Sequence, residues 1–240
     1  MRILITNDDG IASPGIIRLA ELASAFGEIY VAAPDEQKSA MSHSVTISHP
    51  VKVRSYDFPV PVKAAWSICG TPADCVKGAV RYLMKDCAPD IVFSGINNGF
   101  NTGFDSCYSG TVGAGMESVL NGIPAIAFSA ASAKDLRVAG AFFREITEEL
   151  LAQPLYGGIW NVNFPSCSVE ECKGIRRGVK PAPYQMYRDS LFRESCGEGY
   201  EIVGIECVCP TLEDTGDGNT DVQSVLGGYI SVGKLRNMVL

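Results

Sequence analysis

The sequence has few of the features that would place a protein in a membrane, on a nucleic acid or around a histidine-rich metal site. No apolar run approaches the ~18 residues that a membrane-spanning helix needs, and there are only 2 histidines, His43 and His49. Acidic residues outnumber basic ones by 27 to 20, which argues against a basic surface for a nucleic-acid polymer. No signal peptide precedes the first predicted strand, so we expect a cytoplasmic protein that binds no membrane.

Cysteine is abundant, with 9 residues, but the spacing does not indicate a zinc site. There is no C-x-x-C pair, and an odd number of thiols cannot all pair within one chain. Several cysteines lie in apolar runs, where a thiol behaves as a small hydrophobic residue. We therefore predict reduced, structural cysteines, including Cys69 with Cys75, Cys167 with Cys172, and Cys207 with Cys209.

The start of the chain carries the clearest chemical signal. Residues 2–6 are predicted to form a short strand, and Asp8 and Asp9 follow almost directly. Asn, Asp and Gly are common in ordinary turns, but adjacent carboxylates repel each other and no Lys or Arg follows within several residues. Ser13 and Pro14 then predict a capped helix start. We interpret the two aspartates as ligands of a hard divalent cation, with a plain turn as the alternative.

Alternating strand and helix patterns predict an α/β fold. Strands are predicted over residues 2–6, 28–33, 88–94, 122–129 and 158–163, and helices over 13–26 (closed by Gly27), 71–85, 108–120 and 134–151. A strand, helix and strand within about thirty residues form a βαβ unit with parallel strands and a right-handed crossover. We predict a Rossmann-like, doubly wound, mostly parallel sheet.

The regular pattern ends near residue 165. Residues 45–55 and 64–68 are interpreted as extended arms around a surface turn, because two prolines separate them. Residues 166–240 contain short strand-like runs at 202–208 and 229–232 and an acidic turn at 213–217. We therefore predict a catalytic core over 1–165 and an irregular, β-containing C-terminal extension over 166–240, which packs on the core or on another subunit.

Polar loops should meet at the carboxyl edge of the parallel strands, where open α/β sheets bind ligands. The loop after the second strand contains Ser39, Ser42 and His43, and residues 95–105 contain three asparagines, three glycines and an aspartate. Asparagine offers a carbonyl oxygen to a metal and an amide to a phosphate. A loop serine is commonly just solvated, His43 is as readily structural as catalytic, and His49 is interpreted as structural.

The segment Ser109-Gly110-Thr111 begins a predicted helix and has two interpretations of equal weight. It would present amides and hydroxyls to a phosphate, or it is a cap followed by small residues that pack closely. Residues 71–74 (Thr-Pro-Ala-Asp) are better explained as a helix cap than as a phosphate site. Neither G-x-G-x-x-G nor G-x-x-x-x-G-K-[ST] occurs, so dinucleotide and P-loop sites lose support.

Together these segments resemble the SurE family of survival-protein nucleotidases. The resemblance rests on residues 7–10, 33–35 with Ser39, 69–75, 94–101, 108–112, 220–221 and 228–231. It implies a Rossmann-like phosphomonoesterase that removes phosphate from nucleoside 5′- or 3′-monophosphates with one divalent cation, Mg²⁺ or Mn²⁺. It also implies a homodimer or homotetramer in which the C-terminal segment is exchanged between subunits.

The resemblance implies roles for individual residues. The metal ligands would be Asp8, Asp9, Ser39 and Asn97, and the phosphate would be bound by Asn101, Ser109, Gly110 and Thr111. His43 is not assigned as an obligatory base.

From the chemistry of these ligands, we expect water activated by the cation to attack phosphorus, with Asp8 or Asp9 as the catalytic group that handles protons. An aspartyl-phosphate intermediate would favour a D-x-D pattern instead. Two other functions are compatible with the same site, a nucleotide-binding regulatory protein without turnover and a polyphosphate-degrading phosphatase.

Overall fold

The computed structural model describes residues 1–154, 157–197, 199–208 and 219–236. Its elements are β1 (Arg2–Thr6), α1 (Pro14–Ala23), β2 (Glu28–Pro34), β3 (Lys52–Ser55), β4 (Ala64–Cys69), α2 (Pro72–Gly78) with a following π-helical turn (Ala79–Leu83), β5 (Ile91–Asn98), a 3-10 helix (Gly103–Cys107), α3 (Gly110–Leu120), β6 (Ala125–Ala130), α4 (Arg137–Leu151), β7 (Ile159–Phe164), β8 (Ile175–Val179), β9 (Arg188–Gly197), β10 (Tyr200–Val208), α5 (Asp221–Leu226) and β11 (Ile230–Leu235).

The strands form one large, mostly parallel sheet and a separate hairpin. The sheet order is β3-β4-β2-β1-β5-β6-β7-β11-β8, and the hairpin pairs β9 with β10. Neighbours from β4 through β7 are parallel, whereas β3 and β11 run antiparallel to β4 and β7. This confirms the predicted Rossmann-like α/β class with a mostly parallel sheet.

Both faces of the sheet are covered, which explains why its central strands read as continuous apolar runs. Ile3 and Ile5 of β1 pack in a cluster with Phe143 of α4, and Leu4 packs on the opposite face with Ala114 of α3. All five residues are essentially inaccessible to solvent. Burying one Ile or Leu side chain contributes about 1.5–3 kcal/mol, so β1 is held firmly and fixes the position of the residues that follow it.

Several element boundaries differ from the sequence prediction. The segment predicted as an extended arm before residue 69 is β4, a parallel neighbour of β2. Helix α1 ends at Ala23, and Ser24 is its C-cap. Gly27 does not close the helix, but it lies against β1, where a Cβ would approach the Met1 carbonyl oxygen to 1.9 Å. Helix α4 begins at Arg137 rather than at 134.

The segment after residue 165 contributes two strands to the main sheet and forms one separate hairpin. Strands β8 and β11 belong to the main sheet, so the sheet continues beyond the predicted core boundary. The hairpin of β9 and β10 stands apart from that sheet, and the run predicted at 202–208 lies in β10. The acidic turn at 213–217 and Cys209 lie outside the described residues. Exchange of this segment between subunits stays a prediction.

The cysteines whose side chains are described are free thiols, namely Cys69, Cys75, Cys87, Cys107, Cys167, Cys172 and Cys196. Cys75 is buried, but Cys69, Cys107 and Cys196 are exposed, so the interpretation as small core residues fits only part of the set. Within the described residues, no helix is both long and apolar enough to cross a bilayer.

Candidate functional site

A cavity of about 630 Å³ opens at the carboxyl edge of β1, β2 and β5. The predicted residues that line it are Asp8, Ser39, Asn97, Asn101 and Ser109. They come from four loops and strand ends that are far apart in the sequence. The parallel topology brings them together, as the sequence predicts.

Asp8 is the most deeply buried carboxylate of the site, with 3% of its surface exposed. The Thr111 hydroxyl donates to Asp8 Oδ1 at 2.5 Å, and the Thr111 backbone amide also donates to this carboxylate. Burial raises the pKa of Asp8 to about 6, and the charge of Asp9 adds to the rise, although the Thr111 hydrogen bonds oppose it. Asp8 therefore lies in an environment that destabilises its charged form.

Asp9 lies beside the cavity and is held by the end of β5. Its Oδ2 accepts a hydrogen bond from the Asn98 backbone amide at 2.9 Å. Burial also raises the pKa of Asp9, because that single hydrogen bond does not fully offset the loss of water. The two carboxylates are thus fixed by two different elements, Asp8 by α3 and Asp9 by β5.

The turn between β1 and α1 is closed by Asn7 rather than by the predicted serine cap. The Asn7 side-chain amide donates to Gly10 O at 2.9 Å and to Ser13 Oγ at 2.8 Å. Ser13 is the N-cap residue of α1, but its side chain makes no capping hydrogen bond. Asn7 therefore fixes the path of the chain on either side of the two aspartates.

Ser39 is exposed and reaches the cavity from the loop after β2. Its Oγ accepts a hydrogen bond from the Gln37 side chain at 2.9 Å. The loop is tied to the end of β1, because the Lys38 backbone amide donates to the Asp8 carbonyl oxygen at 2.7 Å. The Lys38 ammonium pairs with Glu36 instead of with the aspartates.

Asn97 lies at the end of β5 and Asn101 in the segment that follows it, and the two side chains present different groups. Asn97 donates its side-chain amide to Gly99 O at 2.8 Å, so its carbonyl oxygen is the group that could bind a cation. Asn101 is buried and donates its side-chain amide to Ser129 Oγ at 2.9 Å. Its backbone carbonyl accepts from Asn161. One of the two N–H groups of the Asn101 side chain is therefore engaged within the protein, and its binding of a phosphate stays a prediction.

Ser109, Gly110 and Thr111, at the start of α3, make different contacts with the cavity and with Asp8. Ser109 caps the helix by accepting from Val112 N at 3.1 Å, and it also lines the cavity, so both interpretations of this segment apply to it. Gly110 packs against Asp8, where a Cβ would lie 2.8 Å from the Asp8 Cβ. Thr111 is buried and donates its hydroxyl to Asp8 Oδ1. Phosphate binding by these residues stays a prediction.

His43 lies outside the lining of this cavity. Its Nε2 is 2.9 Å from Glu117 Oε2 on α3, and it lines a smaller, adjacent cavity of about 360 Å³ that shares Ser109. The contact anchors the loop that carries Ser39 to α3, which supports the structural interpretation. His49 is exposed, with Nδ1 3.3 Å from Pro50 O.

Sequence reasoning did not identify the outer wall of the cavity. Tyr108, Gln185 and Tyr187 line it, and Asp105 accepts hydrogen bonds from Met186 N at 2.6 Å and Tyr187 N at 3.0 Å. The two segments are about eighty residues apart in the sequence. A backbone amide that binds a distant carboxylate leaves no pattern in the sequence, so no local signal predicts this contact.

The oxygen atoms of the site suit a hard divalent cation. Among the described residues, no three of His, Cys, Asp and Glu come together; a cation would therefore depend on two carboxylates with the neutral oxygens of Ser39 and Asn97. No Lys or Arg is among the described residues that line the cavity. A buried and a half-buried carboxylate without a cationic side chain among the described cavity residues are an arrangement that a bound Mg²⁺ or Mn²⁺ would neutralise.

Several known proteins have sequences similar to this chain along most of its length. The profile of the family described as survival protein SurE matches residues 3–185. The 5′-nucleotidase SurE of Alkaliphilus metalliredigens is 37% identical over 238 residues, covering 97% of this chain and 91% of the relative. The corresponding protein of Vibrio cholerae serotype O1 (strain ATCC 39315 / El Tor Inaba N16961) is 36% identical over 237 residues, covering 98% and 91%.

A solved structure agrees with these sequence matches. The crystal structure of the SurE protein from Aquifex aeolicus has a TM-score of 0.81 and 34% sequence identity, and the match covers 98% of this chain and 93% of that chain. The similarity therefore extends through the C-terminal strands as well as the sheet edge that carries the two aspartates. The chain belongs to the survival protein SurE family.

Proposed function

We propose that this protein is a divalent-cation-dependent 5′-nucleotidase that hydrolyses nucleoside 5′-monophosphates to nucleoside and phosphate. The observation that carries the proposal is the carboxylate pair at the carboxyl edge of the sheet, where Asp8 is buried and Asp9 half-buried. No basic side chain is among the described residues that line the adjoining cavity. The relatives named 5′-nucleotidase SurE support the same activity.

Asp8, Asp9, Ser39 and Asn97 would hold the cation. When bound, it would neutralise charge on the phosphate oxygens and lower the pKa of an adjacent water molecule. Asn97 already presents its carbonyl oxygen, because its amide donates to Gly99 O. The positive end of α3 reaches the cavity at Ser109, and a helix N-terminus favours a bound phosphate.

The residues of this chain have separate tasks in the reaction. Thr111 holds Asp8 in one orientation by donating both its hydroxyl and its amide. Ser109 orients the phosphate beside the carboxylates. As water attacks phosphorus, the bond between phosphorus and the ester oxygen breaks, and Asp8 or Asp9 accepts the proton of the water. The leaving nucleoside oxygen takes up a proton from solvent water, and the aspartate returns the proton it accepted to solvent before the next turnover.

The charge of the cavity favours a monophosphate over a polyphosphate. Asp105 and Asp189 line the cavity in addition to Asp8, and the described lining residues include no Lys or Arg. A linear polyphosphate would place further negative charges next to these carboxylates, which is unfavourable. A substrate with one phosphate and an otherwise neutral body fits better.

The hairpin of β9 and β10 supports self-association as a homodimer or homotetramer. Leu191, Phe192, Ile202, Val203 and Ile205 are 46–68% exposed on it. Exposed apolar groups of this number on one hairpin are typical of an interaction surface. We expect a second copy of the chain to cover them.

Phosphate release from AMP tests the activity. The wild-type protein should release phosphate with Mg²⁺ or Mn²⁺, and a chelator should stop the release. Asp8→Asn and Asp9→Asn should each lower kcat by at least a hundredfold, since a positioned charge-stabilising group contributes about 10²–10³. Asp86→Asn, at an exposed position away from the site, is the matched control.

Two results would contradict the proposal. Near-normal turnover in Asp8→Asn or Asp9→Asn would remove the carboxylates from the chemistry. Tight AMP binding without phosphate release under any cation would favour the alternative of a nucleotide-binding regulatory protein.

A further inference from the structure

The outer half of the cavity is built differently from the half that contains the aspartates. Tyr108, Phe100 and Tyr187 contribute aromatic side chains there, and Gln185 contributes an amide. Tyr108 follows the 3-10 helix, whereas Gln185 and Tyr187 belong to the segment before β9. An aromatic wall, bordered by Asp105 and Asp189, next to a polar end matches a ligand that has a phosphate at one end and a flat ring system at the other.

The wall is fixed in position by two carboxylates. Asp105 accepts from Met186 N and Tyr187 N. Asp221, which is buried, accepts from Gly103 N at 2.9 Å with Oδ2 and from Ala182 N at 2.8 Å with Oδ1. The segment that contains Gln185 is thereby attached to the 3-10 helix on both sides of Gln185. Asp105 of that helix binds the segment directly after Gln185, and Asp221 links the segment before it to Gly103. A preformed wall of this kind binds a ligand without the cost of ordering a loop.

Tyr108 has a ring that is available for stacking. Its side chain is 55% exposed, while its backbone is held at both polar groups, with N donating to Asp105 O at 3.0 Å and O accepting from Ser42 N at 2.9 Å. The two backbone hydrogen bonds fix the point from which the ring projects beside the cavity. Stacking of a base on an aromatic side chain contributes about 1–3 kcal/mol and tolerates any base.

Gln185 has an amide that is available for hydrogen bonding. It is exposed in the cavity wall, and it makes no hydrogen bond with any residue in the described part of the chain. A glutamine amide offers donors and an acceptor side by side. Each of the common bases carries an adjacent donor and acceptor on one edge, so this amide can pair with all of them.

We propose that Tyr108 and Gln185 form a base-tolerant nucleobase subsite, in which Tyr108 stacks on the base and Gln185 pairs with its edge. This inference rests on the proposed nucleotidase function and names the part of the substrate that the outer half of the cavity recognises. It assigns a specificity-determining role to both residues and a catalytic role to neither.

Comparison of AMP with ribose 5-phosphate isolates the base, because the two substrates share the scissile phosphate ester and the sugar. Tyr108→Ala should raise KM for AMP by about tenfold or more and leave the kinetics of ribose 5-phosphate unchanged. Tyr108→Phe should retain the wild-type KM, since it keeps the ring. Tyr82→Ala, at a tyrosine that is 73% exposed on the π-helical turn, should change neither substrate.

Gln185→Glu provides a second, independent test. A carboxylate only accepts hydrogen bonds, so it suits guanine, whose N1 and N2 both donate, and it opposes uracil, whose single donor lies between two carbonyls. The ratio of kcat/KM for GMP to that for UMP should rise by about tenfold. This ratio cancels any general effect of the added negative charge on phosphate binding.

Failure of the subsite and failure of the nucleotidase function give different results. Equal losses for AMP and ribose 5-phosphate in Tyr108→Ala, or no change for either, would overturn the stacking role. An unchanged GMP to UMP ratio in Gln185→Glu would overturn the pairing role. If the wild type releases phosphate from neither substrate, the proposed activity fails. Calorimetric binding of AMP to the wild type and to Tyr108→Ala then decides the subsite, with equal affinities counting against it.

Discussion

Thr111 and Asp8 are separated by 103 positions in the sequence, yet the Thr111 hydroxyl donates to Asp8 Oδ1 at 2.5 Å. Both side chains are buried, with Thr111 fully inaccessible and Asp8 3% exposed. The contact joins the end of β1 to the first turn of α3, so the helix start holds the carboxylate in place. Asp8, a predicted metal ligand, and Thr111, a predicted phosphate-binding residue, are therefore joined by a direct hydrogen bond.

Thr111→Val should destabilise the protein and lower its activity. Valine has nearly the same shape but no hydroxyl, and a hydrogen bond to a charged group contributes about 1.5–3 kcal/mol. We expect the free energy of unfolding in urea at pH 7 to fall by about that amount. Thr111→Ser keeps the hydroxyl and should lose less than half as much; equal losses in the two variants would show that the methyl group, not the hydrogen bond, matters.

Glu117 should contribute a pH-dependent part of the stability. Burial raises its pKa, but hydrogen bonds from His43 and Asn121 outweigh burial and hold the pKa of Glu117 below its ordinary value. A carboxyl with a lowered pKa in the folded protein stabilises it above the pKa of the unfolded chain, and this contribution disappears as the pH falls through the folded value. The window therefore lies below a pH of about 4.5.

Urea unfolding of Glu117→Gln at two pH values measures this contribution. At pH 7 the variant should lose about 1.5–3 kcal/mol of unfolding free energy, typical of a lost hydrogen bond to a charged group. At the second, lower pH, below about 4.5, its difference from the wild type should be smaller. Glu148→Gln, which removes an exposed partner of Arg144, should change stability by under about 1 kcal/mol. A pH-independent loss in Glu117→Gln would contradict the ionic interaction.

Gly110→Ala should disturb the site although alanine is the better helix former. A Cβ at this position would lie 2.8 Å from the Asp8 Cβ and 2.9 Å from Pro72 Cγ. The added methyl group must displace Asp8, so we expect at least a tenfold loss of phosphate release and a lower melting temperature. Gly78→Ala in α2 has open space around the new atom and should stabilise by about 0.5–1 kcal/mol. Stabilisation by both variants would show that Gly110 is not constrained by Asp8.

The position of the site could be predicted because it follows from local pattern and topology. An apolar segment before Asp8 and Asp9 and another before the asparagine-rich loop identify parallel strands, and parallel strands place both loops at one edge. Ser39 and Asn97 line the cavity for that reason.

Other parts depend on contacts that leave no local pattern. Strand β4 follows a segment with two prolines, Pro59 and Pro61, which suggests a surface turn; its parallel pairing with β2 is set by the sheet, not by its own residues. The sequence at the start of α3 fits a helix cap and a phosphate site equally well. The hydrogen bond from Thr111 to Asp8 adds a third role, which is to hold the carboxylate in place. Packing between distant segments, rather than propensity, determines these features.

The central claim is that Asp8 and Asp9 share one divalent cation, and titration of the purified protein with Mn²⁺ in a calorimeter tests it without any substrate. We predict binding of one Mn²⁺ per chain to the wild type and to Asp86→Asn, and loss of that binding in Asp8→Asn and in Asp9→Asn, with all variants folded by circular dichroism. Mn²⁺ affinity in either aspartate variant equal to that of the wild type would contradict the account.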